Sequence, residues 1–144
     1  MFQRIDQLIV QLLNKIWRPL AKISIFIIFF YFGFLKVVGL SPANPLVEAL
    51  LSKTLPFIPF SFFIKFFGLF EMLIGLVFVI PKIERLAILL LMIHMVIVAL
   101  PLILLPQITW QKFLVPTLEG QYIIKNLAII SLALAIGAHL GKKD

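Results

Sequence analysis

Four stretches of the chain are long, apolar and nearly free of charge: Leu20–Leu40, Ser61–Ile80, Leu86–Leu105 and Gln121–Leu140. Each is close to the roughly 20 residues that a helix needs to cross a hydrocarbon core. A lone strand in lipid would leave its backbone groups unpaired, so all four are expected to be helices. Ahead of them, Phe2, Ile5, Ile9, Leu12 and Ile16 recur at helical spacing, with Arg4, Gln11, Lys15 and Arg18 at other positions. That pattern predicts an amphipathic helix over residues 1–18 lying in the membrane interface, with Pro19 separating it from the first span. The fold class expected is all-α: an integral membrane four-helix bundle over residues 19–144, preceded by this interfacial helix.

The loops carry their own signals. Asn44-Pro45 reads as an N-cap with proline at the first helical position, opening a short helix to about Ser52. Pro56 and Pro59 should end it. Trp110 marks the other long loop, Gln107–Gly120, as an interface anchor. The first span is expected to be retained: Pro42 would follow any cut after Ser41, and the apolar stretch is long for a signal peptide.

Composition agrees with a bilayer as solvent. Hydrophobic residues make up 62% and charged residues 13%, against roughly 45–50% and 25% in soluble domains. The formal net charge of +7 belongs to topology rather than to nucleic acid, because the basic residues sit between apolar runs. Eight of them, Arg4, Lys15, Arg18, Lys22, Lys82, Arg85, Lys142 and Lys143, fall on one side of the four spans. The opposite loops hold two, Lys53 and Lys112. The positive-inside rule then predicts cytoplasmic N- and C-termini. The absence of cysteine rules out a disulfide framework, a CxxC redox pair and thiolate metal ligands on this chain.

Ionisable groups inside the spans are the candidates for chemistry, since a charge at mid-bilayer costs about 2.5–3.5 kcal/mol on insertion scales. Glu71 lies near the middle of the second span, with Gly68 and Gly75 on its face. Small residues on a face admit a close neighbour, so Glu71 is expected to point inward. His94, in the third span, matches its depth, and a Glu71–His94 hydrogen bond that relays a proton or holds a polar ligand is one expectation. A core histidine satisfied by one partner is the other. One histidine at depth makes no metal site, and His139 lies too far along the fourth span to complete a haem pair.

Lys36, Lys65 and Lys125 form an outer level. Lys65 is expected to snorkel to the interface. Lys36 shares a face with Gly33, and Lys125 with Ala128 and Ala135, so both are expected at a helix interface. Thr117 is placed to cap the fourth span, Glu119 to meet its helix dipole, and Gln121 to share a face with Lys125. An outer vestibule follows, in which Lys36 and Lys125 approach each other with Glu119 or Gln121 close by.

Three stretches, "FIIFFYFGFLKVVGL", "FGLFEMLIGLVFVIPKIERLA" and the "IHM" of the third span, in this order, resemble the DoxX family of small four-helix membrane proteins. The resemblance covers roughly Ile23 to Leu140, nearest to the DoxX-like proteins without an assigned function. It implies a compact bundle in the bacterial inner membrane. The family's named member is a subunit of a thiosulfate:quinone oxidoreductase, and relatives are linked to dehydrogenase maturation, oxidative-stress complexes and receptor assembly. Without cysteines, a thiol-exchange role does not carry over.

Two functions compete. One is a redox-associated subunit binding a quinone or small anion within the bundle, with a redox partner protein. Glu71 and His94 would handle protons, and Lys36 and Lys125 would draw in an anion. The other is a non-enzymatic accessory or assembly protein whose intramembrane polar groups specify packing or a partner. Four spans without a broken helix or repeat make a transporter the weakest fit.

Overall fold

The computed structural model describes residues 2–140. Helix α1 runs from Phe2 to Val37, α2 from Asn44 to Thr54, α3 from Phe60 to Val79 and α4 from Glu84 to Ala99. Two single turns, α5 (Pro101–Leu104) and α6 (Pro106–Thr109), lead to a small antiparallel hairpin, β1 (Trp110–Lys112) with β2 (Val115–Pro116). Helix α7, Leu118–His139, closes the fold.

Among the described residues, four helices are long and apolar enough to cross a membrane: Gln3–Val37, Phe60–Val79, Glu84–Leu104 and Leu118–His139. Their apolar outer surfaces, such as Phe62, Phe66, Leu69 and Leu73 on α3, are the contact with lipid. The helices form a ring in which α1 packs on α3, α3 on α4, α4 on α7 and α7 on α1. Ile25, Phe29, Ile74, Phe78, Leu91 and Ile136 fill the centre. On α3 the buried positions 64, 67, 68, 71, 74, 75 and 78 follow helical spacing, with Val77 buried beside them, so its inner face is a single stripe.

The widest shared face joins α1 to α3, and glycines make it close. A Cβ on Gly33 would stand 2.5 Å from the Gly68 carbonyl oxygen, and one on Gly68 2.6 Å from that of Gly33. Lower down, a Cβ on Gly75 would meet Phe30 N at 3.0 Å and Phe26 O at 3.1 Å. As the α3 number rises the α1 number falls, so the two helices run antiparallel. The backbones touch without side chains between them, as close-packed membrane helices do.

Three expectations change. The break at Pro19 is absent, because α1 continues through it. Proline's fixed φ suits a helix, and its cost is the lost bond to the Lys15 carbonyl, a residue that is exposed. Arg18 and Lys22 flank the proline and tie α1 to α7 and α4. Residues 2–18 are therefore the first half of α1 and not a separate helix. All of residues 3–16 are exposed, an arm of about 21 Å at 1.5 Å per residue. The cap of α2 is Ala43, with Asn44 the first helical residue. Ser41 Oγ accepts from Ala43 N instead, and the helix extends to Thr54. The hairpin in the second long loop had no sequence signal, since Leu114 takes its turn at φ 57° without glycine or asparagine.

Polar contacts separate the bundle's two ends. At one, Lys22 pairs with Glu84 at 2.7 Å and Arg18 donates to the His139 carbonyl. At the other, Lys53 donates to the Leu104 carbonyl and Thr117 to that of Ile108. The charge bias predicts that the Lys22–Glu84 end faces the cytoplasm. Reporter fusions at Asn44 and Lys112 should read as periplasmic and one at Glu84 as cytoplasmic. A cytoplasmic signal at Lys112 would reject this orientation.

Candidate functional site

Glu71 sits on the glycine-flanked stripe of α3 and is 5% exposed. Its two carboxylate oxygens serve two other helices. Oε2 accepts from Lys36 Nζ of α1 at 2.7 Å, and Oε1 lies 2.9 Å from His94 Nε2 of α4. Lys36 and His94 are also buried, at 6% and 4% exposure. Three helices are thus joined at one carboxylate.

The glycines explain how Lys36 reaches it. A Cβ on Gly68 would lie 2.9 Å from Lys36 Cβ, so the lysine stem starts beside the glycine one turn from Glu71. Side chains lean toward their helix N-terminus. On α1 that direction runs back past Gly33, into the bundle. The ammonium ends inside it, at Glu71, with Phe67 5.9 Å away as a ring face for the cation.

His94 lies among aromatic rings. Phe67 stacks on it at 5.1 Å, Phe29 meets it edge-on at 5.2 Å, and Phe70 is tilted at 6.2 Å. A tautomer with the proton on Nε2 fits this site, because that nitrogen faces a carboxylate that can only accept. Nδ1 is then a buried acceptor with no hydrogen-bond partner among the described residues. The group comprises one ammonium, one carboxylate and one imidazole, and the first two cancel in charge.

The vestibule is not built as expected. Lys36 turns inward to Glu71 instead of meeting Lys125. Lys125 is exposed, and its ammonium lies 5.0 Å from the Tyr122 ring centroid, one turn toward the outer end of α7. The N-terminal lean that draws Lys36 inward carries Lys125 outward, because α7 starts at that end. Glu119 and Gln121 are exposed as well, and so is Lys65, which fits snorkelling. The capping is as expected: Thr117 Oγ1 accepts from Gly120 N at 3.2 Å, and Glu119 lies in the first turn.

Two features had no separate signal in the sequence. The Lys36–Glu71 pair needs the α1–α3 register, which follows only once Gly33 and Gly68 are seen to face each other. The Lys22–Glu84 pair joins residues 62 apart, and in the sequence Lys22 carries a topology signal alone. Among the described residues no group of three histidine, cysteine or acidic side chains is placed to hold a metal.

No family model, no curated protein and no solved structure matches this chain. Its four apolar helices make it a multi-pass α-helical membrane protein in contact with the lipid bilayer.

Proposed function

We propose that this chain is a non-enzymatic accessory or assembly protein of the bacterial inner membrane, similar to DoxX-like proteins, with both termini cytoplasmic. Its buried ions hold one helix packing, and the rigid bundle offers its outer faces and the α1 arm to a partner in the membrane. One observation carries this role: both oxygens of Glu71 are taken by groups of the chain itself, Lys36 and His94. A carboxylate spent in this way is a lock between helices, not a reagent waiting for a substrate.

A second role rests on the free Nδ1 of His94. A buried nitrogen among Phe29, Phe67 and Phe70 is suited to a quinone headgroup, which needs a polar contact and flat apolar neighbours. That would make the chain a quinone-linked subunit of a redox complex.

The two roles separate in one experiment. The protein is crosslinked in cells, extracted in mild detergent and purified, and its solvent extract is assayed for quinone. The accessory role expects a stoichiometric membrane-protein partner and quinone well below one per chain. Equimolar quinone that disappears in His94→Phe, with the bundle still folded, would replace it by the redox role.

A further inference from the structure

Far from the Glu71 group, a cavity of about 260 Å3 opens at the Lys22–Glu84 end. Arg18, Pro19, Lys22, Glu84, Ile136 and Leu140 line it, from α1, α4 and the end of α7. We infer that this cavity binds an anionic phosphate group, one whose charge is not cancelled within its own molecule.

The donors are in place. Arg18 carries five N–H donors in a planar fork. Its one hydrogen bond among the described residues runs from Nη2 to the His139 carbonyl. The donors left over suit the paired oxygens of a phosphate. Glu84 also lines the cavity, but Lys22 holds it at 2.7 Å, so these two charges cancel and the guanidinium sets the net sign as positive. The ammonium of Lys22 has further donors to turn toward the same anion. With a water's share of liquid volume about 30 Å3, the space holds several waters or one phosphate group.

The position fits a headgroup. Trp17 is next to Arg18, which lies 5.8 Å from its ring centroid, and packs edge-on against His139 at 4.8 Å. Tryptophan prefers the membrane–water boundary. A basic pocket between spanning helices at that level is how membrane proteins hold anionic headgroups. This site does not depend on the function proposed above.

The test uses the purified full chain in neutral detergent and native mass spectrometry, with phosphatidylglycerol and phosphatidylcholine compared. Wild type should retain phosphatidylglycerol about tenfold better than Arg18→Gln does, the ratio for a charge-assisted contact of this kind. Arg18→Lys should fall between them, and phosphatidylcholine, whose choline cation cancels its phosphate charge, should show no such dependence. If inorganic phosphate alone raises the melting temperature of wild type and not of Arg18→Gln, while the lipid is not retained, the source is a free phosphate. Equal retention of the two lipids by wild type, without a phosphate-induced shift, overturns the site and needs no variant. Phosphatidylglycerol retention that Arg18→Gln leaves unchanged overturns it too.

Discussion

Replacing Glu71 with leucine is expected to cost about 3–5 kcal/mol, the usual loss when one member of a buried ion pair is removed. The reason lies with the residues left behind. Lys36, 6% exposed, would keep an ammonium in the core facing a methyl group. His94 would lose its only hydrogen bond among the described residues. Glu71→Gln should cost less, because its amide still offers an oxygen to Lys36 or a contact to His94. Replacing the whole group, with Lys36→Met, Glu71→Leu and His94→Phe together, should come out near neutral or more stable than wild type, since no desolvated charge remains. Equilibrium unfolding in mixed micelles measures all three. A Glu71→Leu variant within about 1 kcal/mol of wild type, below the cost expected of an unpaired buried charge, would mean that the carboxylate does not hold the helices together.

Sequence alone gave the four spans, because length and apolarity are all that a bilayer asks of a helix. The inward aim of Glu71 and its match in depth with His94 were also readable, from Gly68, Gly75 and the antiparallel run of consecutive spans. What was not readable was direction within a level. Lys36, Lys65 and Lys125 stand at similar depth in their spans, and depth alone grouped them. Helix polarity separates them: α1 rises toward that end while α3 and α7 start there, so the same lean sends Lys36 inward and the others outward. The continuity of α1 through Pro19 was hidden for another reason. An interior proline loses one helix hydrogen bond and crowds the turn before it, yet α1 continues through Pro19, where Arg18 and Lys22 bind α7 and α4 on either side of it.

The glycine seam gives the second large effect. Gly68→Ala should destabilise the bundle by about 1–3 kcal/mol, the range for overfilling a packed site, and Gly68→Val by more. An alanine normally favours a helix over glycine by about 0.5–1 kcal/mol, so the sign itself is informative. The added methyl would stand 2.6 Å from the Gly33 carbonyl oxygen and 2.9 Å from Lys36 Cβ. One of these is backbone, which cannot rotate away, so α1 must shift. A shift there also moves Lys36 relative to Glu71, so packing and ion pair fail together. Gly137→Ala is the control. Its new methyl would meet Ile88 Cδ1 at 3.1 Å, the end of a side chain that can turn aside, and the helix gain should leave it near neutral. Thermal unfolding of the two variants in the same detergent decides the matter. If Gly68→Ala is as stable as Gly137→Ala, α1 and α3 do not meet backbone to backbone at Gly33, and the path by which Lys36 reaches Glu71 must be different.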